Sequence, residues 1–212
     1  MTFDWALVEK SIPLLGAGLL TTVKICLLAM LLGIVLGGIL GLASLSRFRP
    51  ARWAVMAYVD FIRGTPLLVQ IFLVYFALPV VGVNLPEFWA GVIALGLNAA
   101  GFIAEIVRAG ILAVPRGQVE ASSALGLGYG AQMRFVVIPQ ALRVIVPPLT
   151  SQYLNLTKNS SLAAAIAYPE LTQIFAGTVL SQTGQPFEVM ALTMGVYLAI
   201  SLVISWLMNW YN

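Results

Sequence analysis

The residues that can do chemistry in this chain are few, and most of them lie within apolar stretches. Among 212 residues there are 11 Lys or Arg, 8 Asp or Glu and no His. Asp60 and Arg63 lie three positions apart, as do Glu105 and Arg108, so each pair shares one helix face and can partly neutralise itself. A helix break follows the first pair at Gly64-Thr65-Pro66, because Pro66 removes a backbone donor. This pattern indicates recognition of a polar solute.

Charged side chains and helix breaks of this kind are energetically costly within a membrane. A charged side chain near the bilayer centre costs about 2.5–3.5 kcal/mol on insertion scales. Freed backbone groups are tolerated only against protein or a water-filled cavity, and transporters bind polar solutes at such breaks. We therefore predict a solute pathway comprising Arg63, Thr65, Gln70, Asn98, Lys158, Asn159, Ser160 and Ser161. The alternative is that the charge pairs only hold helices together and that residues 157–161 only line a polar helix contact.

Several classes of site are excluded by composition. With no His and with Cys26 as the only cysteine, the chain cannot form an internal disulfide or a Cys/His metal site. It offers no hydrolytic triad and no phosphate loop of the GxxxxGK[ST] type. We therefore expect no catalytic residues, no metal and no cofactor in this chain, so transport must be driven from elsewhere. The net charge of +3 gives no indication of a nucleic-acid partner.

The elements that must position these residues are membrane spans. The chain is 60% hydrophobic and 9% charged, with a mean hydropathy of +0.97, whereas a soluble domain is about 25% charged. Apolar runs of about 20 residues are long enough to cross a hydrocarbon core of about 30 Å. We predict an all-α integral membrane protein with one domain, residues 1–212. Its five spans are predicted at about 14–44, 53–81, 89–112, 145–166 and 189–210.

Basic residues predict the topology. Three arginines follow the first span, and four lie between the third and fourth spans or flank that segment, whereas the loops after the second and fourth spans have none. By the positive-inside rule the arginine-bearing loops are cytoplasmic, the N-terminus is outside and the C-terminus is inside. Residues 1–11 lack the features of a signal peptide, so we expect the first span to be retained. Residues 209–212 depart from the rule, since no basic cluster closes the last span.

Two further patterns concern packing and docking. Gly33, Gly37 and Gly41 repeat every four residues in the first span, which predicts close approach by another helix. The stretch 119–139 is the longest run of moderate hydropathy, within a cytoplasmic segment of about residues 113–143. It is too long for a simple connector and too regular for disorder, and it combines Glu120 with small residues and glycines. We interpret it as a docking element.

This docking stretch resembles the EAA loop of permease subunits of ATP-binding-cassette (ABC) importers. The family pattern is EAA, three residues, glycine, and later an apolar residue before proline. It stands here as Glu120-Ala121-Ser122, Gly126 and Ile138-Pro139, with Ser122 in place of an alanine. Four further stretches resemble the polar amino-acid branch of these permeases, and the whole resemblance covers about residues 17–205. They are RGTPLLVQ at Arg63–Gln70, AEIVRAGI at Ala104–Ile111, PRGQVEA at Pro115–Ala121 and KNSSL at Lys158–Leu162.

The resemblance implies a multi-pass permease of the bacterial inner membrane that imports an L-amino acid. Glu120, Ala121, Ser122 and Gly126 are then expected on a short coupling helix in the groove of a cytoplasmic ATPase subunit. The implied partners are a second permease, identical or homologous, two ATPase subunits that bind ATP and Mg²⁺, and an external solute-binding protein.

The position after Lys158 is often acidic in permeases for basic substrates, whereas here it is Asn159. An acidic or neutral amino acid is therefore favoured. The alternative function is a self-contained secondary transporter or channel for a small polar solute, which would explain the broken helix and the buried charges but not an EAA loop. A membrane enzyme is disfavoured by the missing catalytic groups.

Overall fold

The computed structural model describes residues 5–211, and within that range the chain is helical apart from short connections. The α-helices are α1 Trp5–Ser44, α2 Arg49–Gly64, α3 Leu67–Phe72, α4 Glu87–Leu112, α5 Arg116–Ala124, α6 Tyr129–Gln132, α7 Ile138–Asn159, α8 Leu180–Thr183 and α9 Pro186–Tyr211. Wider π turns extend or join several of them at Leu73–Ala77, Met133–Val137 and Gln173–Val179, and 3₁₀ turns follow at Leu78–Val81 and Ser160–Ile166.

Four helical segments are long and apolar enough to cross a membrane: Glu9–Ser44, Glu87–Leu112, Tyr129–Ile166 and Pro186–Met208. The predicted second span is instead two helices, Arg49–Gly64 and Leu67–Val81, whose axes bend by 109° at the break. The prediction of five spans therefore holds only if this bent pair counts as one. Thr65 is extended, with φ −113° and ψ 143°, because the residue before a proline is pushed out of the helical region.

The glycine repeat of α1 packs against α4, as predicted. A Cβ atom on Gly33 would lie 2.8 Å from the Cβ atom of Ala99, and one on Gly37 would lie 2.7 Å from that of Ile103. Gly41 is equally close to Val107. The helix axes approach this closely because no side chain intervenes. The main core, which includes Ile25, Ala29, Leu95, Ala99 and Ile103, is built around this contact.

The helix that carries the predicted fourth span begins at Tyr129 rather than near residue 145. The docking stretch therefore ends earlier than predicted, and its second half belongs to this long helix. Pro139 does not break the helix, because it lies directly after the π turn Met133–Val137, whose wider hydrogen-bond pattern accommodates a missing donor.

The predicted polar loop between the last two spans is mostly helical. Residues 171–183 form a helix that includes the π turn and α8. Leu171, Phe175 and Val179 recur every four residues, so they share one face and pack with Val189 of α9. This second core is separate from the α1–α4 core, and it supports the last span.

Candidate solute pathway and coupling helix

Gln70 closes the helix break with its side-chain amide. Its Nε2 donates to the Ile62 carbonyl at 2.9 Å and to the Thr65 hydroxyl at 2.9 Å, and that hydroxyl donates to the Phe61 carbonyl at 2.8 Å. Its Oε1 accepts from Asn98 Nδ2 at 3.1 Å. The structure thus brings together three predicted pathway residues, Thr65, Gln70 and Asn98. Their mutual bonds stabilise the break, because each buried polar group finds a partner within the chain.

A closed polar slot, with no room for a water molecule in this state, lies between α4 and α7 and is bordered by Asn98. Three amide side chains border this slot, those of Asn98, Gln152 and Asn159, together with the apolar side chains of Leu67, Leu95 and Leu156. Our sequence analysis did not include Gln152. Its spacing was the available signal, because Gln152 lies seven residues before Asn159 and therefore on the same helix face.

Gln152 also lines a wider cavity of about 420 Å³ between α2, α4 and α7. Arg63, Phe102 and Glu105 form part of the wall of this cavity. The Arg63 guanidinium carbon lies 5.6 Å from the centre of the Phe102 ring, which is cation–π geometry. The amide-lined slot and the charged cavity therefore share Gln152.

The two predicted charge pairs behave differently. Arg108 donates to both carboxylate oxygens of Glu105, from Nε at 2.9 Å and from Nη2 at 2.5 Å. The Asp60–Arg63 pair is not formed, since the Glu105–Arg108 contact is the one ion pair among the residues that the structure describes. Arg63 lies over Phe102 instead. All four residues line a further cavity of about 520 Å³ beside α1, α2 and α4.

The polar run at residues 157–161 does not form a single pathway surface. Thr157 and Ser160 are buried and donate to the Tyr153 and Thr157 carbonyls, at 2.9 and 2.7 Å. Ser161 donates to the carbonyl of Lys158, whose side chain is exposed. Five consecutive helical residues point in all directions around the axis, which is the physical reason for this division. Only Asn159 borders the slot.

The helix α5 carries the predicted coupling residues. It ends in a Schellman motif, in which Gly126 N–H donates to Ser123 O at 2.9 Å and Leu127 N–H donates to Ser122 O at 3.1 Å. Gly126 adopts φ +77°, a left-handed conformation that favours glycine. Glu120 and Ala121 are exposed, whereas Ser122 is buried and donates to the Val119 carbonyl at 2.7 Å. Ser122 therefore faces its own subunit rather than outward.

Two exposed apolar residues continue the outward face of this helix. The side chains of Leu125 and Tyr129 are 81% and 76% exposed. Behind them, Gln132 Nε2 donates to Ser123 Oγ at 2.7 Å, and Val119 packs on the buried cluster around Val137. The surface of Glu120, Ala121, Leu125 and Tyr129, which we call the α5 face, is thus held rigidly while remaining open. Leu125 and Tyr129 were missed because an apolar residue in a membrane protein is no signal by itself.

Glu170 is a buried acid that the sequence placed in an external loop. Its Oε1 accepts from Gln173 N–H and its Oε2 accepts from the Tyr197 hydroxyl, each at 2.7 Å. The Tyr197 hydroxyl also lies 3.2 Å from Thr172 Oγ1. Burial raises the pKa of the Glu170 carboxyl, and the hydrogen bonds that it accepts act in the opposite direction. Glu170 caps the helix at residues 171–183 and joins that helix to α9.

Residues 29–212 match the family described as binding-protein-dependent transport system inner membrane component. The chain belongs to this family. It is therefore a multi-pass component of the bacterial inner membrane.

Individual relatives agree with the family assignment. This permease is 35% identical to the glutamine transport system permease protein GlnP of Escherichia coli K12, over 99% of this chain and 96% of that one. It is 45% identical over 203 residues to the general L-amino acid transport system permease protein AapQ of Rhizobium johnstonii, covering 84% of this chain. The chain spans 50% of the length of AapQ, and 33% and 30% of the length of two further relatives.

A solved structure matches the whole fold. A crystal structure of an amino acid ABC transporter with histidines has a chain that is 37% identical to this permease, with a TM-score of 0.93. The match covers 100% of this permease and 98% of that chain.

Proposed function

We propose that this permease is the membrane subunit of an ABC importer that moves an L-amino acid into the cytoplasm. The observation that carries the proposal is the match over the entire chain to an amino acid ABC transporter at 37% identity. The geometry supports it, because an amide-lined slot beside the broken helix adjoins a cavity lined by Arg63 and Glu105. A zwitterionic solute needs polar groups of this kind along its route.

The proposed importer contains more chains than this one. A second permease, identical or homologous, pairs with it, two cytoplasmic ATPase subunits bind ATP and Mg²⁺, and an extracytoplasmic binding protein delivers the amino acid. The α5 face supports the contact with an ATPase, since it places Glu120 and two large apolar side chains on a rigid, exposed surface. In this arrangement α5 is cytoplasmic, the N-terminus is outside and the C-terminus is inside.

ATP binding closes the ATPase pair and moves the permeases as rigid bodies between two states. The contribution of this chain is to transmit that motion from α5 to the helices of the slot. The packing supports this route, because Val119 of α5 contacts the cluster around Val137 and Ala141, which belongs to the same long helix as Gln152 and Asn159.

We further propose a preference for acidic or neutral amino acids. The three polar side chains of the slot are amides, and none of them is acidic. An amide can donate hydrogen bonds to a carboxylate or a carboxamide, whereas it cannot neutralise a cationic side chain. A cationic substrate would leave its charge unpaired in the slot, and that loss of affinity disfavours it.

Co-purification and uptake test the proposed function. The tagged permease, expressed with its neighbouring genes, is expected to bring an ATPase subunit with it. Proteoliposomes that contain this complex and its binding protein are expected to accumulate L-glutamate or L-glutamine. This accumulation is expected only when ATP is present on the side of the membrane that carries the ATPase subunits. Uptake by the permease alone, independent of ATP, would instead establish a secondary transporter or channel.

The coupling role has a separate test in Glu120→Lys. The substitution reverses a charge on the α5 face without touching the buried side of the helix, so the subunit is expected to insert and fold normally. Uptake is expected to fall at least tenfold while basal ATP hydrolysis continues. The matched control is Gln118→Lys, a change on the same exposed helix that leaves Glu120 in place. Wild-type uptake by Glu120→Lys would refute the coupling assignment.

A further inference from the structure

We propose that Arg63 and Glu105 form a second binding station, which holds the α-carboxylate and the α-ammonium of the amino acid after it leaves the amide-lined slot. The inference rests on the proposed function and adds a defined place on the route. Arg63 and Glu105 line both the cavity of about 420 Å³ and the cavity of about 520 Å³. Gln152 links the first of these cavities to the slot. The two charged residues therefore stand where successive cavities meet.

The station lies on the α5 side of the slot. Asn98, Phe102 and Glu105 occupy one face of α4, spaced by four and then three residues. At 1.5 Å per residue, Glu105 lies about 10 Å along the helix from Asn98, toward the end that leads into α5. An amino acid moving from the slot to this position has advanced by about two helical turns in the proposed direction of import.

Arg63 is available for a carboxylate. It lies in the last turn of α2, one residue before Gly64, and it forms no ion pair with the described acidic residues. The carbon of its guanidinium lies 5.6 Å from the centre of the Phe102 ring. A cation–π contact does not use up the N–H donors of the guanidinium, and these donors match a carboxylate in a bidentate pair. Arg63 is thus positioned by the helix break and the ring rather than by a partner charge.

Glu105 retains acceptor capacity for an ammonium group. A carboxylate has about four acceptor sites on its two oxygens, and Arg108 donates once to each oxygen. The remaining sites are open to a second cation, and the Glu105 side chain is 33% exposed. The ion pair with Arg108 fixes the orientation of the Glu105 carboxylate. Arg108 is therefore a positioning residue for the station.

The arrangement is selective for a chemical class rather than for one amino acid. Every α-amino acid carries a carboxylate and an ammonium about two bonds apart, whereas a cation or an anion alone satisfies only one side of the station. The station does not have to bind the side chain of the substrate. The slot and the solute-binding protein therefore determine which amino acid is selected. The station serves to keep the polar head group solvated by protein while the substrate crosses an apolar region.

Uptake by the assembled complex tests the station. In proteoliposomes with binding protein, Arg63→Gln and Glu105→Gln are each expected to lower the maximal uptake rate of L-glutamine at least tenfold. Glu87→Gln is the matched control, since Glu87 is an exposed acid in the first turn of α4 that borders neither cavity, and its uptake is expected within twofold of wild type. Arg63→Lys keeps the charge but not the planar fork, so its rate is expected to lie between those of wild type and Arg63→Gln.

A binding ratio distinguishes substrate recognition from a structural role. We would measure competition against radiolabelled L-glutamine on the permease–ATPase complex in nanodiscs without the binding protein. For wild type, the decarboxylated analogue 4-aminobutanamide is expected to compete at least tenfold more weakly than L-glutamine. This ratio is expected to fall severalfold in Arg63→Gln and to stay unchanged in Glu87→Gln. A merely structural arginine would not change the ratio.

The outcomes separate the two proposals. If the wild-type complex accumulates none of L-glutamine, L-glutamate or L-arginine, the proposed function is wrong. If wild type transports while Arg63→Gln and Glu105→Gln stay within twofold of it, the station is refuted and the importer remains. An unchanged competition ratio in Arg63→Gln refutes it as well. If Arg63→Gln does not assemble, Arg63→Lys decides, and a wild-type rate and ratio in that variant overturn the station.

Discussion

Two groups of polar residues in this permease contrast in how their hydrogen bonds are used. Around Glu170, both carboxylate oxygens are occupied by Gln173 and Tyr197, and the glutamate is fully buried. Around Arg63 and Glu105, the charged groups line two cavities, and the Glu105–Arg108 contact is the one ion pair among the described residues. The first group is enclosed by protein on every side, while the second faces open space.

This difference distinguishes polar residues that stabilise the fold from polar residues that are free to bind a solute. A buried acid whose acceptors are all used by the chain contributes to folding, because removing it leaves donors unsatisfied in an apolar medium. A charged group that borders a cavity has spare bonding capacity, which water or a ligand can use. Hydropathy and charge treat both groups alike, since each is an ionisable residue in an apolar chain. The location of their partners is what distinguishes them.

Glu170→Ala is the strongest test of the claim that the Glu170 group contributes to folding. The substitution leaves the Gln173 N–H and the Tyr197 hydroxyl without their acceptor, and it removes the cap of the helix at residues 171–183. At about 1–3 kcal/mol for each buried unsatisfied group, we expect a loss of about 3 kcal/mol in unfolding free energy. Thermal unfolding of the purified complex, together with its yield from membranes, measures this loss.

Glu120→Ala is the matched control for that loss, because Glu120 is an exposed acid on the α5 face. Its unfolding free energy is expected to change by less than about 0.5 kcal/mol. Equal stability of Glu170→Ala and Glu120→Ala would show that the Glu170 bonds are dispensable, and the distinction drawn between the two groups would fail.

Gln70 was predicted from the sequence to line the solute pathway, but in the structure its side-chain amide is hydrogen-bonded within the chain. Its substitution therefore tests whether such a residue contributes to stability. In Gln70→Leu the Asn98 amide loses its acceptor, and the Ile62 carbonyl loses a donor. We expect a loss of about 2 kcal/mol in unfolding free energy, smaller than for Glu170→Ala. Thermal unfolding gives this value, and Gln152→Leu, in which the amide borders the slot, serves as the control. A larger loss in Gln152→Leu would reverse the assignment.

Much of the fold follows from the sequence because its determinants are local. Apolar length predicted five spans, of which four are single helical segments and one is a bent pair. The repeat of Gly33, Gly37 and Gly41 predicted close approach by another helix, which the structure shows to be α4. The family pattern likewise identifies α5. By contrast, the 109° bend was not predictable, because Pro66 indicates a break but not its angle.

The site was harder to predict because whole polar segments were assigned to the pathway, whereas the direction in which each side chain leaves the helix decides whether it reaches the slot. Residues 157–161 are consecutive, so they surround the helix, and only Asn159 reaches the slot. Gln152 lies on the correct face but in a stretch that carried no motif. Glu170 was placed in a loop because its polar neighbours hide the four-residue repeat of Leu171, Phe175 and Val179. The partners of a side chain depend on tertiary contacts, which hydropathy does not contain.

A small effect on stability, with a clear effect on transport, is expected for Asn159→Asp. Asn159 is half-buried and borders the slot, and none of its side-chain hydrogen bonds is needed to close the helix break, so unfolding free energy should change by less than about 1 kcal/mol. A carboxylate in the slot repels anionic substrates and pairs with cationic ones. Uptake of L-arginine relative to L-glutamate is therefore expected to rise about tenfold, given a binding protein that delivers both.

Competition assays in proteoliposomes measure that ratio, and Asn155→Asp is the control, since Asn155 is exposed on the same helix outside the slot. An equal shift in both variants would mean that a general surface charge, rather than the slot, sets the preference. If the uptake ratio shifts only in Asn159→Asp, a residue that faces the slot can be changed to alter specificity. The buried hydrogen bonds of Glu170 and Tyr197, which are intact in that variant, would then still stabilise the fold.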